Sequence, residues 1–326
     1  MSSFDDDPVP VAVIGAGNMG ANHIRVYDEL PGANLVEVVE PNTETAATIR
    51  EEYDVRVHDS VSDIEQARAA TIAVPNDLHL PVARQCITDL ELDVLIEKPL
   101  ANTVADAREI VDLATDYDAI LQVGHIERYN PAVQAVEEIL HDQDVIAIEA
   151  HRLGPFNEHL VDQSVVYDLM IHDIDVINSL VESSVSRVDA VGTTKRSEEV
   201  DHAVANFQFE DGTLGTAVSS HVTHGKIREL DVTTRDAYIS LNYQQQRVVI
   251  QQRGTEKMTV LNNKSGYRTE TITETPFVNT REPLKNELES FIDCVRQRST
   301  PLVDGETGAQ AVEMSSRVLG SIERSR

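Results

Sequence analysis

Basic residues are scarce in this chain of 326 residues: 27 Lys and Arg stand against 56 Asp and Glu, a net charge of −29. Lysine is scarcer still. It occurs only at 98, 195, 226, 257, 264 and 285, so arginine supplies most of the positive charge. A surface of that sign repels polyanions, which argues against nucleic acid or an anionic membrane as a partner. Cysteine is limited to Cys86 and Cys294, without CxxC or metal-ligand spacing. Both fall in amphipathic stretches, which points to buried free thiols rather than a disulfide. No run reaches the roughly 18 apolar residues of a membrane span. The start, Met1-Ser2-Ser3-Phe4-Asp5-Asp6-Asp7, lacks the basic-then-apolar order of a signal peptide and reads as a solvated acidic arm. A cytoplasmic location is therefore expected. Many carboxylates with few lysines also fit a salt-rich cytoplasm, where screening acts within about 3 Å at 1 M salt.

At 41% hydrophobic and 25% charged residues the composition is that of an ordinary globular protein. The length suggests two domains, because a single core stops growing at roughly 250–300 residues. Up to about residue 124, short apolar runs alternate with helical patterns. Pro8–Ile14, Leu35–Val39, Val55–Val57, Ala70–Val74, Val94–Ile96 and Ala119–Val123 read as strands; Asn18–Leu30, Thr43–Tyr53, Leu78–Leu90 and Val104–Tyr117 read as helices. That alternation predicts a doubly wound parallel sheet with right-handed crossovers over 1–124. Beyond it, Pro131–Leu140 and Val165–Leu180 read as helices. Residues 185–280 show period-two alternation with an Asp211-Gly212 hairpin signal, and Arg281–Arg296 and Glu306–Ile322 close the chain as helices. Residues 125–326 are thus expected to form an α+β domain with a large, mostly antiparallel sheet.

Gly15-Ala16-Gly17-Asn18-Met19-Gly20 is GxGxxG between a strand and a helix, the context in which the motif binds a dinucleotide. The first glycine permits the turn, the second lets backbone approach a pyrophosphate, and the third lets helix and strand pack closely. The helix N-terminus turns free N–H groups towards the phosphates. Glu40, twenty residues past the last glycine, is placed to accept hydrogen bonds from the adenosine ribose and to repel a 2′-phosphate, favouring NAD over NADP. Asn18 and Met19 sit on the same loop.

Further along come Val74-Pro75-Asn76-Asp77-Leu78-His79, Glu97-Lys98-Pro99 and Gly124-His125, each after a strand, and Asp168-Leu169-Met170-Ile171-His172. Together with GxGxxG these resemble the glucose–fructose oxidoreductase / inositol dehydrogenase / MocA (Gfo/Idh/MocA) family over nearly the whole chain. The resemblance implies an N-terminal Rossmann domain and a C-terminal α/β domain whose open sheet often joins subunits, here a dimer or tetramer. Within the family, Gly124–Pro131, Arg152-Leu153-Gly154-Pro155-Phe156, Val165–Val176 and Glu282-Pro283-Leu284-Lys285 are similar to the prokaryotic UDP-N-acetylglucosamine 3-dehydrogenase subgroup. Ser164-Val165 departs from the pattern, since many members carry glycines there.

The implied chemistry is oxidation of a secondary alcohol. Asp168 and His172 are four residues apart and share a helix face, with Asp175 close to it. His suits a general base near neutrality. By resemblance His172 accepts the proton while Lys98 and Asp168 orient and polarise; relatives with lysine as the base leave the reverse assignment open. Pro75, Asn76, His79 and Glu97 are candidate cofactor contacts, with helix capping the other role open to Asn76. Arg128, Tyr129, Arg152 and Lys285 are candidate contacts of a nucleotide-sugar substrate. Asp168, His172, Asp173 and Asp175 cluster, but two point off the shared face and the chemistry needs no metal, so none is expected. An inositol or free-sugar dehydrogenase, and a non-catalytic NAD-binding sensor, are the alternative readings.

Overall fold

Apolar residues at nearly every position of the early strands demand burial on both faces of a sheet. The computed structural model, which describes residues 7–156, 163–254, 257–261, 264–268 and 270–325, meets that demand. Six parallel strands, β1 (Val9–Ile14), β2 (Ala33–Val39), β3 (Arg56–His58), β4 (Ala69–Ile72), β5 (Asp93–Glu97) and β6 (Leu121–Gly124), lie in the order β3-β2-β1-β4-β5-β6. Helices α1 (Asn18–Glu29), α2 (Thr43–Glu52), α3 (His79–Arg84) and α4 (Val104–Asp116) connect them. The order reverses between β1 and β4, and doubly wound sheets bind ligands beyond the strand ends at such a switch point.

Local chemistry sets the helix starts. Asn42 caps α2, its side chain accepting from the N–H groups of Glu44 and Thr45 at 3.0 Å each, and Thr103 caps α4 through the Asp106 N–H at 3.1 Å. The predicted helix Leu78–Leu90 is in fact three pieces. A 3-10 turn over Asn76–Leu78 precedes α3, and a π-helical turn over Gln85–Asp89 follows it. Apolar spacing alone does not separate a 3.6-residue turn from these variants over so few residues.

The second sheet has the order β16-β13-β12-β11-β7-β10-β9-β8, built from β7 (Val145–Leu153), β8 (Val185–Thr193), β9 (His202–Phe209), β10 (Leu214–Ser220), β11 (Ile227–Thr234), β12 (Ala237–Asn242), β13 (Arg247–Arg253) and β16 (Thr271–Glu274). A separate hairpin pairs β14 (Lys257–Leu261) with β15 (Lys264–Arg268). All neighbours in the large sheet are antiparallel except β7 and β10. Its central strands alternate: Ile148, Ala150, Ala205, Ala217, Leu230 and Val232 are fully buried, whereas their neighbours Glu149, Asn206, Thr216 and Asp231 are not. Helices α5 (Pro131–Leu140) and α6 (Ile171–Leu180) pack on this sheet. Gly212, at φ +94°, turns the chain from β9 to β10.

The chain packs as two units. One contains the residues through Tyr129 together with Glu282–Ser316; the other contains Asn130–Arg281 and the residues from Arg317 on. The sequence pattern suggested one boundary near residue 124, with everything beyond it in the second domain. The difference is α7 (Pro283–Gln297), which returns to the parallel sheet: Leu284, Leu288, Phe291, Ile292 and Val295 join Ile24, Tyr27 and Leu95 in one core cluster. A helix's apolar stripe shows that it is covered, not by which sheet. Helix α8 (Gly305–Ser325) follows it. Cys86 and Cys294 are both free and buried, and burial pushes the Cys86 thiol up to about 12. The acidic arm falls, up to its sixth residue, outside the described residues.

Phe291 is fully buried in this cluster. Phe291→Ala should destabilise the parallel-sheet unit by about 3–5 kcal/mol, the range for emptying a phenylalanine site. Chemical denaturation of the variant should show that loss; an unchanged midpoint would mean that α7 adds nothing to this core.

Candidate active site

The phosphate loop leaves β1 through Gly15, which sits at φ +87° and where a Cβ would lie 2.7 Å from the Ala73 carbonyl oxygen. On Gly20 a Cβ would collide with the Gly15 carbonyl. Both glycines are therefore required by the protein itself. Gly17 differs: a Cβ there would meet nothing within 4 Å. The open space beside it is what close approach of a pyrophosphate needs. Gly17 also occupies the N-cap of α1 without a side-chain cap, unlike Asn42 and Thr103 on their helices, so the first N–H groups of α1 are not taken by a capping side chain. Gly17, Asn18 and Met19 are exposed. Glu40 ties this loop to the end of β2: its Oε2 accepts from the Ala16 N–H at 2.9 Å and its Oε1 from the Asn42 N–H at 2.8 Å. The open space at Gly17 and the uncapped start of α1 fit a dinucleotide's pyrophosphate.

Across the switch point, Pro75 is exposed and holds the cap position of the Asn76–Leu78 turn, which no side chain caps. His79 is fully buried. Its Nδ1 lies 3.0 Å from the Pro99 carbonyl and 3.3 Å from that of Leu100, and its Nε2 lies 3.1 Å from the Val74 carbonyl. The imidazole expected at the cofactor instead staples the turn after β4 to the one carrying Lys98-Pro99, whose peptide is cis. Burial lowers its pKa, against the opposing pull of those carbonyls.

Glu97, expected at the cofactor, turns its carboxylate inward. His23 Nε2 lies 2.7 Å from Oε1, and the Lys98 N–H donates to Oε2 at 3.3 Å. Burial pushes this carboxyl up, but the hydrogen bond and charge of His23, then the charge and N–H of Lys98, outweigh it and hold it below the ordinary range. Gly124 is small for this reason: a Cβ there would lie 3.0 Å from Glu97 Oε2. Lys98 is half-buried at the strand end.

A second acid lies in the same interior. Glu287 on α7 is fully buried, and neither carboxyl oxygen has a hydrogen-bond partner among the described residues. Burial, then the charge of Glu97, raise its pKa well above the ordinary range, so it stays protonated. Its charge would in turn face Tyr27 and Tyr129, whose hydroxyls are already held far above their normal range, first by burial.

In the second unit, the predicted helix Val165–Leu180 begins as a π-helical turn over Val166–Met170 that carries Asp168, and His172 lies in the first turn of α6. Ser164 and Val165, where glycines are common in relatives, are buried and anchored: the Val165 N–H donates to the Val200 carbonyl at 2.8 Å, and Ser164 Oγ accepts from the Val166 N–H at 3.3 Å. Asp173 accepts both fork nitrogens of Arg152, Nε at 3.0 Å and Nη2 at 2.9 Å, with both side chains buried. The Arg152 guanidinium also lies 4.9 Å over the Tyr243 ring.

Arg152, the expected diphosphate contact, therefore pins α6 to β7 by giving Nε and Nη2 to a buried carboxylate. Arg128 and Tyr129 are buried in a 3-10 turn of the first unit, and Lys285 is half-buried on α7. One partner of Asp168 has no signal in the sequence. His221, just past β10, places Nε2 2.9 Å from Asp168 Oδ2. Ser219-Ser220-His221 carries no motif, and only the pairing of strands brings it to Asp168.

Comparison with known proteins agrees with this architecture. The model of an oxidoreductase family with an NAD-binding Rossmann fold matches residues 9–125, and that of the oxidoreductase-family C-terminal alpha/beta domain matches 159–326. A UDP-N-acetylglucosamine 3-dehydrogenase of Acidithiobacillus ferrooxidans is 27% identical over 312 residues, covering 95% of this chain and 96% of that one. An inositol 2-dehydrogenase of Rubrobacter xylanophilus is 30% identical over 241 residues, covering 70% and 69%. The solved structure of the Acidithiobacillus enzyme superposes with a TM-score of 0.88 at 26% identity, covering 98% of each chain.

Two outcomes follow from the first unit. Glu40→Gln removes the charge facing a 2′-phosphate, so the ratio of kcat/KM for NAD to that for NADP should fall by roughly tenfold or more, about 1.4 kcal/mol per factor of ten; an unchanged ratio would place cofactor choice elsewhere. For Glu287, the unfolded chain loses its proton near 4.5 while the folded chain keeps it. Stability contributed by that proton is complete below about 4.5 and falls as pH rises towards the folded pKa. Melting curves of wild type and Glu287→Gln should diverge with increasing pH, the variant becoming relatively more stable; parallel curves would show that Glu287 ionises freely.

Proposed function

Because this chain belongs to the Gfo/Idh/MocA oxidoreductase family, we propose that it oxidises the C3 hydroxyl of UDP-N-acetylglucosamine to a 3-keto nucleotide sugar with NAD. One observation carries the choice of substrate. The similarity to a UDP-N-acetylglucosamine 3-dehydrogenase spans practically the whole of both chains, in sequence and in fold. Lys98, Asp168 and His172 are all present to perform it.

When bound, NAD supplies the hydride acceptor. The residues of the chain manage the rest. Gly17 and the N-terminus of α1 hold the pyrophosphate and Glu40 the ribose. Lys98 hydrogen-bonds the reacting oxygen and stabilises negative charge developing there. His172 takes the hydroxyl proton, and Asp168, four residues before it, orients it. Lys285 is the proposed contact of the diphosphate, while Arg152, which gives Nε and Nη2 to Asp173, supports the site by holding α6. On the exposed face of the large sheet, Val191, Leu214 and Tyr238 present apolar surface, which supports assembly into a dimer or tetramer through that face. Among the described residues no helix is long and apolar enough to cross a membrane. The charge of −29 supports work in a salt-rich cytoplasm, so activity is best measured in molar KCl.

The test is a screen of UDP-sugars, free sugars and inositols with NAD, followed by NADH absorbance and product mass. UDP-N-acetylglucosamine should be turned over and yield a product two mass units lighter. Lys98→Ala and His172→Ala should each lower kcat by roughly 10²–10⁴ with little change in NADH affinity. Turnover of inositol with UDP-N-acetylglucosamine inert would move the substrate to the inositol class. Turnover of nothing would leave a cofactor-binding sensor.

A further inference from the structure

The helix proposed to carry Asp168 and His172 is fastened to two neighbouring strands. Arg152 on β7 grips Asp173 through both fork nitrogens. One turn earlier, His221 meets Asp168 from the end of β10. β7 and β10 are adjacent and parallel, with Arg152 beside Ser219 in the register, so both fastenings rise from one patch of sheet. The two contacts differ in exposure. The Arg152–Asp173 pair is sealed, with side chains 4% and 0% exposed, whereas the Asp168 side chain is 21% exposed and its partner His221 only 3%. Asp168 therefore has one oxygen committed to the protein interior and the rest of its carboxylate near the surface.

His221 itself is rigidly placed. Its backbone N–H donates to the Asp201 carbonyl at 2.9 Å. Asp201 is fully buried and accepts the N–H groups of Lys195 and Arg196 at 2.7 and 2.6 Å. The imidazole Nδ1 is enclosed and meets no hydrogen-bond partner among the described residues. An ionised carboxylate only accepts, so the Nε2 that meets Asp168 carries the proton and donates it.

We propose that His221 is a positioning residue of the alcohol-oxidation site, its Nε2–H holding the Asp168 carboxylate in the orientation that aligns His172. The inference rests on the assignment of Asp168 and His172 to that chemistry. Its logic is that of any base oriented by an acid that is itself held: a carboxylate free to rotate orients nothing. The π-helical turn carrying Asp168 fits this picture, because such turns break the regular ladder and are frequent at functional sites. Among the described residues, the titratable and charged groups on the elements that meet here include Asp168 on that turn, His172, Asp173 and Asp175 on α6, Arg152 on β7 and Asp201 before β9.

Two variants test it. His221→Leu removes the donor; His221→Gln returns an N–H to the ε position. With the sugar that the wild type turns over, His221→Leu should lower kcat by roughly 10- to 100-fold, the size expected when a hydrogen bond to a charged group is lost. It should also displace a limb of the pH–kcat profile and leave KM for NAD within about twofold, while His221→Gln recovers most of the rate and the profile. Independently of any sugar, the His172 ring followed by NMR should show a shifted titration midpoint in His221→Leu and a restored one in His221→Gln. A wild type that oxidises no sugar overturns the functional reading, and the His172 titration then decides the positioning by itself. An unmoved His172 midpoint in a folded His221→Leu protein overturns the proposal. So does a glutamine variant as impaired as the leucine one with equal loss of melting temperature, since that marks a packing role only.

Discussion

A carboxylate taken out of water must be met by donors or give up its charge, and the working parts of this protein are held by that requirement. Glu37 is fully buried in β2 and receives the N–H groups of Glu65, Gln66 and Ala67 at 3.0 Å each, which fixes the loop entering β4. Those bonds, with the one from His58, outweigh burial and hold its carboxyl below the ordinary range. Asp93 takes Arg298 on both oxygens, at 2.6 and 2.7 Å, and the Ile120 N–H at 2.8 Å. Asp173 takes Arg152, Asp168 takes His221, and Glu97 takes His23. In a chain with so many acids, these five act as fasteners, four of them buried and Asp168 partly exposed, each joining a loop or helix to a neighbouring element.

Glu287 is the exception that the same requirement explains. With no donor for either oxygen among the described residues, its carboxyl is pushed towards the protonated form by burial and by the charge of Glu97. Glu97 wins that charge because His23 and Lys98 are beside it. Glu97 lies on β5 and Glu287 on α7, a helix that follows Arg281 and packs with the parallel sheet, so the two carboxyls come from distant parts of the sequence.

Two kinds of glycine mark the cofactor loop, and the distinction bears on how such motifs are interpreted. Gly15 and Gly20 are required by contacts inside the protein, and any tight strand–turn–helix of this shape would need them. Gly17 is required by nothing in the chain, so it is the residue that speaks for a ligand. The uncapped start of α1 and the Glu40 carboxylate beside it complete the same half-site.

Much of this architecture is legible in the amino-acid sequence. Alternation of apolar strands with helical spacing determines a parallel sheet, period-two alternation determines the antiparallel one, and GxGxxG after a strand determines the tight turn between β1 and α1. These are local properties, carried by neighbours a few residues apart. The tertiary structure alone decided which side chains face one another across long separations. Arg152 reads as a candidate substrate contact, and only the fold shows it paired with Asp173 inside the second unit; His79 reads as a candidate cofactor contact, and only the fold shows its ring between the carbonyls of Val74 and Pro99. His221 had no motif to announce it, because its meaning comes from Asp168, 53 residues earlier. A polar residue's role is set by the partner it is buried against, and strand pairing and helix packing choose that partner; the residue's own spacing in the chain does not record it.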